Sequence, residues 1–384
     1  MTQMPSVKHC RFAFVSACLA FLTTAAVRAD MDRPSTYQLF GISSGFNDVF
    51  FGDYYGRNGD IEGHAAVKGN LDARDYGFGG GEQAKHADDR NVLVVGGNAI
   101  VKGVGVFDGN AYVAGNVVNA SSDKWNTMGA EGTGPAIYNR ENPDYVGTRG
   151  TIYADGFPTG TPDRNAQRQE YLSQSGHSSI PFDFTLAEAQ LRQTSSDLWD
   201  YADTVTGTFA NGNYEIDLTG KTGLQVITID ASVFMALGTN KNIYIDAGAD
   251  TTLLVNVTND AGLDYLWFRN ELVINGNPDE MHSDFDGSNI LFNTAMDDVR
   301  IENVAFNASL VALDAEVFIA HGNIEGQVFA GSGRTIDGGE FHAYYTFDDK
   351  HFGAATPEPA SIMILGIGLA GLGIVRRRKI ARFV

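Results

Sequence analysis

Cysteine is almost missing from this 384-residue chain, and both copies, Cys10 and Cys18, fall near its start. That stretch has the form of a secretory signal. Lys8 and Arg11 open it, Phe12 to Ala26 is apolar, and Val27-Arg28-Ala29 offers a small-residue cleavage site before Asp30. Loss of residues 1–29 leaves no cysteine, which excludes disulfides and cysteine-held metal from the exported body. Stability then has to come from a core, for which 43% hydrophobic residues, with 24 Phe and 15 Tyr, are ample.

Basic charge is scarce as well: 27 Lys and Arg stand against 47 Asp and Glu. Eight of the 27 (Lys8, Arg11, Arg28, Arg376, Arg377, Arg378, Lys379 and Arg382) sit in the two ends, so removing both ends leaves 19 against at most 47, near −28. Such a body has little to offer nucleic acid or anionic lipid, and no nucleic-acid partner is expected. Catalytic motifs are missing too. Gly77-Phe78-Gly79-Gly80-Gly81 lacks the Lys-Ser/Thr pair of a phosphate loop, and His64, His86, His177, His282, His321, His342 and His351 show no ligand spacing. Without a βαβ rhythm, a doubly wound sheet is excluded.

What is present reads as mainly β. Gly69-Asn70, Gly97-Asn98, Gly109-Asn110 and Gly115-Asn116 each adjoin a short β-type run, at intervals of 28, 12 and 6 residues. Irregular intervals argue against a strict repeat code but suit a right-handed β-helix, whose rungs vary and whose stacked Asn side chains can bond between layers. A β-sandwich is the alternative. Residues 119–160 read as long loops. Thr185-Leu186-Ala187-Glu188 has the form of a capping box, and Leu191, Ser195, Leu198 and Ala202 follow at helical spacing. This predicts one amphipathic helix at about 185–203, flanking the β body. Asn211-Gly212 predicts a hairpin, and further short strands run on to Ala330. Ile61-Glu62-Gly63 and Ile324-Glu325-Gly326 introduce similar runs, as tight corners or as neighbouring rungs joining the two ends of the domain.

Candidate binding residues are few. Asp284 and Asp286 lie in an Asp-Phe-Asp-Gly-Ser turn and could converge on Ca²⁺, although the full EF-hand spacing is missing and turn chemistry alone accounts for them. Trp125, Tyr138, Tyr145 and Tyr153 could stack on the apolar faces of sugars.

The tail, residues 356–384, holds Pro357-Glu358-Pro359, an apolar segment at 362–375 and Arg376-Arg377-Arg378-Lys379. The apolar segment is shorter than the ~20 residues of a full membrane span. Its order resembles the PEP-CTERM sorting signal of Gram-negative bacteria. That resemblance implies an exosortase-type partner, a transient stay in the inner membrane, cleavage near Pro357 to Pro359, and delivery to the cell surface or outside.

The body, through Phe46 to Phe50, Asp60 to Leu71, Ile290 to Asn293, Ser309 to Ala312, Asn323 to Ala330 and Gly339 to His342, resembles the choice-of-anchor A family. Leu313-Asp314-Ala315 and Lys68 depart from its pattern. The resemblance implies a domain at 37–347, a linker at 348–355, and an adhesive, non-catalytic role in biofilm or extracellular matrix, with polysaccharide or other surface components as partners. A polysaccharide-active enzyme with facing carboxylates is the alternative.

Overall fold

Eighteen residues make one full coil of this chain: Leu93 lies in register with Ala111, Asn293 with Val311, and Leu310 with Val328. The computed structural model describes residues 39–80, 91–107, 110–119, 128–131, 152–156, 180–238, 241–276 and 286–352. All strand pairings described are parallel except one, the expected Asn211-Gly212 hairpin. The architecture is therefore a parallel β-solenoid, and the sandwich alternative falls because its sheets would be antiparallel.

In chain order the first strands are β1 (Asp48–Phe50), β2 (Tyr54–Ile61), β3 (Ala65–Val67), β4 (Leu71–Phe78), β5 (Asn91–Val95), β6 (Ala99–Phe107), β7 (Asn110–Asn119), β8 (Met128–Glu131) and β9 (Ile152–Gly156). Helix α1 (Phe184–Trp199) follows, then β10 (Thr208–Ala210), β11 (Asn213–Leu218), β12 (Gly223–Asp230), a short α2 (Ser232–Ala236), β13 (Ile243–Ala247) and β14 (Thr251–Thr258). The last strands are β15 (Leu266–Phe268), β16 (Leu272–Ile274), β17 (Ile290–Thr294), β18 (Asp298–Glu302), β19 (Ala305–Phe306), β20 (Ser309–Ala320), β21 (Asn323–Ile324), β22 (Val328–Ile336) and β23 (Glu340–Phe341).

These strands stack on three faces. On the first the spatial order is β9, β7, β5, β3, β1, β22, β20, β17, β14, β12. The first strand of the chain thus sits in the middle of the stack, between β3 and β22, which comes about 280 residues later (Asp48 against Val328). This seam joins an N-terminal run of coils to a C-terminal run. The segments 61–63 and 324–326 meet there: Ile61 and Ile324 both pair with Phe341, so one strand separates them.

Inward residues fill the coil with stacked rings, Phe268–Phe292–Phe306 in the C-terminal coils and Phe50–Tyr54–Phe341 at the seam, while Tyr54, Tyr76 and Thr335 satisfy one another's buried hydroxyls. A second sheet, β10-β11-β13-β16, adds Tyr214, Ile216, Ile243, Ile245, Leu272 and Ile274 to that core.

The first face is apolar on its outer side as well, and α1 covers it. Ala187, Leu191 and Leu198 pack there with Val49, Ala66, Val94, Leu254, Leu291, Val311 and Phe329. Ser195, on the predicted stripe, donates to Asn293 Oδ1 (2.7 Å), and Asn256 donates to the carbonyl of Leu198 (2.8 Å). The helix is capped one turn-entry earlier than predicted, by the Asp183 carboxylate accepting from the Leu186 amide (3.0 Å). Glu188 does not reach back; its oxygens take Lys68 (2.6 Å) and Arg192 (3.2 Å), and the helix ends before Ala202. Residues 348–352, expected in a linker, belong to the body: Asp349 accepts from the Leu39 amide, and Phe352 is buried against Phe347.

Candidate functional site

The corner between the first and second faces explains the Gly-Asn units. Asn70 N–H donates to Asp53 Oδ1 (2.7 Å), Asn98 N–H to Asn70 Oδ1 (3.0 Å), and Asn116 N–H to Asn98 Oδ1 (2.9 Å). Beside this ladder the backbone runs Gly69 N–H to Gly52 O, Gly97 to Gly69 and Gly115 to Gly97, at 2.8, 2.8 and 3.0 Å. A Cβ on Gly97 would meet Gly69 O at 2.6 Å and Asn70 Oδ1 at 2.7 Å, so a side chain there cannot stack. The interval of 28 is one longer coil, as Ala65 against Leu93 shows, and the 12 and 6 are two parts of one ordinary coil of 18. Asn110, the odd member, lies instead on the first face against Asn91.

This corner fixes the register of the second face, which α1 does not cover. Here one column of outward side chains runs rung by rung through Trp267, Arg300, Phe318, Arg334, Tyr55, Asp72, Ile100 and Val118. It crosses the seam between Arg334 and Tyr55 without interruption. Rings and guanidinium groups alternate and touch: Arg334 lies 5.4 Å from the Phe318 ring centre and 5.6 Å from that of Tyr55, with Arg57 on Tyr55 at 3.6 Å. At its end Arg300 lies over Tyr265 (4.3 Å) and Arg269 over Trp267 (4.7 Å). Arg57, Arg74 and Lys102 form the next column along.

Six cations therefore share one face of an acidic protein, a clustering that composition alone hides. Acidic groups interleave: Asp72 pairs with Arg57 (2.9 Å) and Arg74 (3.5 Å), and Asp298 with Arg300 (2.9 Å). Among the described residues Arg334 and Lys102 have no acidic partner. Arg334 is exposed, as is Tyr55 at 37%.

A second cluster lies at the seam on the third face, where β2, β23 and β21 adjoin. His342 Nδ1 reaches both oxygens of Glu325 (3.1 and 3.0 Å), and Nε2 reaches Glu340 (3.0 Å). Burial alone would lower the imidazole's pKa, but these carboxylates raise it to about 10, so it stands as a cation with both nitrogens donating. Asp60, half-buried and beside Glu340 and Glu62, is pushed up to about 7, first by its desolvation, and burial raises Glu62 as well. The facing carboxylates expected of a glycosidase are present in kind, yet both oxygens of Glu325 are engaged by the imidazolium. The imidazolium thereby joins the chain just past β21, at Glu325, to that at β23, at Glu340.

The predicted sites fare unevenly. Asp286 caps the turn Gly287–Asn289, its Oδ1 accepting from Ser288 N–H (2.8 Å) and Oγ (2.6 Å), so turn chemistry accounts for it; Asp284 lies outside the described residues. No group of three metal-ligating side chains occurs among the described residues. Trp125, Tyr138 and Tyr145 lie outside them, as do Pro357, Glu358, Pro359 and Arg376 to Arg378. Tyr153 lies on β9. No helix among the described residues is long and apolar enough to cross a membrane. The open-face column was missed because its members lie 16 to 33 residues apart in sequence, and 279 apart where Arg334 meets Tyr55 across the seam; a search for Arg and aromatic residues recurring at one coil's length would have found Arg300, Phe318 and Arg334.

Comparison with known proteins gives two family matches. Residues 355–379 match the PEP-CTERM protein-sorting motif. Residues 39–343 match the ice-binding-like adhesive domain, so the body's family is given by that match and not by the choice-of-anchor A resemblance. Among solved structures the chain is similar to the DUF3494 domain of Shewanella frigidimarina ice-binding protein 1 (15% identity, 81% of this chain, 99% of that one, TM-score 0.33). It is also similar to the glycosylated ice-binding protein LeIBP of an Arctic yeast (11% identity, 85% and 98%, TM-score 0.33). The search of curated proteins found no match. With its parallel solenoid, flanking helix and a match spanning residues 39–343, the chain belongs to the ice-binding-like adhesive domain family and carries a PEP-CTERM sorting motif behind it.

Proposed function

We propose that this is an exported, non-catalytic adhesive protein, freed of residues 1–29, sorted through its tail by an exosortase-type system, and acting at the cell surface or in the extracellular matrix. The observation that carries the reading is one chain holding both an adhesive-domain match at 39–343 and a sorting motif at 355–379. The coil is read as right-handed, the hand that parallel crossovers take. Successive rungs of the open face present Trp, Arg, Phe, Arg, Tyr and Asp, a surface of rings and charges available to a partner outside the cell.

Gene deletion tests the reading. Loss of cell association, scored as biofilm or floc formation and restored by the wild-type gene, is expected; unchanged association would refute it. Mass spectrometry of the exported protein should find a C-terminus before Val384, and a chain ending at Val384 would refute sorting by cleavage.

A further inference from the structure

We propose that the open second face is a track for an extended polysaccharide bearing carboxylate groups, an inference that rests on the adhesive reading and names its ligand. Three observations carry it. First, the column from Trp267 to Val118 is continuous across both halves of the solenoid, which suits a linear polymer lying along the axis. Second, ring and guanidinium alternate: Trp267, Phe318 and Tyr55 offer apolar surfaces to the C–H faces of sugars, while Arg300 and Arg334 stand between them. Rungs are spaced at about 4.8 Å, so these two arginines recur at about 10 Å, on the scale of a disaccharide repeat. Third, the charge is placed to complement an anion. Arg334, exposed and lying between two rings, has no carboxylate partner among the described residues and carries the planar fork that binds a carboxylate in a bidentate manner. Arg57, Arg74 and Lys102 continue the cationic row beyond Tyr55.

The interleaved Asp72, Asp298, Glu302 and Glu316 argue against nucleic acid. A duplex carries a charge per about 1.7 Å of its axis and would meet these carboxylates at every few rungs. A polyuronate, charged once per sugar or two, can place its carboxylates at the arginines and its hydroxyls at the acids.

The test uses the processed protein recovered from producing cells, titrated by calorimetry with polygalacturonate, with a neutral glucan and with duplex DNA. Binding to polygalacturonate that weakens with added salt is expected, together with about tenfold loss in Arg334→Gln and in Tyr55→Ala. Arg192→Gln, on the helix-covered side, should bind as wild type. Both test residues are exposed, and a thermal melt of each variant confirms the fold. No binding to polygalacturonate, equal binding to the neutral glucan, stronger binding to DNA, or wild-type affinity in both variants would each overturn the proposal. Scoring cell association with the same variants separates the two readings. If association persists and depends on Tyr55 while polygalacturonate is not bound, the ligand class fails and adhesion stands; if deletion of the gene also leaves association unchanged, adhesion fails with it.

Discussion

Gly97 has no room for a methyl group, since carbonyl and amide oxygens of the coil beneath stand within 2.7 Å of where one would go. Gly97→Ala should therefore cost about 1–3 kcal/mol, read as a clear fall in melting temperature. Gly248→Ala, where nothing lies within 4 Å, should melt as wild type. Asp48 presents the opposite problem. It is fully buried inside the seam, neither oxygen has a partner among the described residues, and burial holds its pKa well above the ordinary 3.8. A carboxyl that stays protonated in the fold while the unfolded chain ionises costs stability as pH rises. Asp48→Asn should match wild type in chemical denaturation at pH 3 and exceed it increasingly from pH 5 to pH 8; a constant difference across that range would show the carboxyl is not the cause.

At the level of elements, the helix shows what a sequence can and cannot disclose. Its apolar stripe and its place on the flank follow from the 3.6-residue period, and Leu191 and Leu198 lie where the period puts them. The cap does not follow, because Asp183 and Thr185 both satisfy the local preference, and Glu188 is drawn away by Lys68, 120 residues earlier in the chain, and by Arg192 one turn on, which is itself tied to the distant Asp314. Asp183→Ala should lower stability by about 1 kcal/mol and Thr185→Ala hardly at all; the reverse would restore the predicted box. The stacking of Gly-Asn corners was legible because neighbouring copies of one dipeptide bond to each other. The open-face column was not, because it is assembled from unlike residues whose only common property is their position on successive coils. Asn98→Ala removes the acceptor of Asn116 and should cost about 1 kcal/mol by urea denaturation.

For the whole molecule the sign of the pH dependence is set at the seam. The raised pKa of His342 contributes stability in full below 6.5, lost as pH climbs towards about 10. The raised pKa of Asp60 removes stability progressively from 3.8 to about 7. Both slopes descend with pH, and a formal charge of −20 adds self-repulsion in the same direction. Thermal melts should therefore fall steadily from pH 5 to pH 9, and His342→Gln should flatten the upper part of that fall. An optimum near pH 8 would contradict the assignment.

The position of β1 also sets a timetable. A chain exported from its N-terminus delivers Asp48 early, but the strand that covers its outer edge, at Val328, arrives last. Until then the N-terminal coils carry an open edge, and closing it requires one of the longest sequence separations in the fold, the kind of contact that slows folding and invites pairing between two copies. Refolding from denaturant should show a late, rate-limiting phase that Phe329 and Phe50 report, while the C-terminal coils, complete in themselves from β12 to β22, form ahead of it.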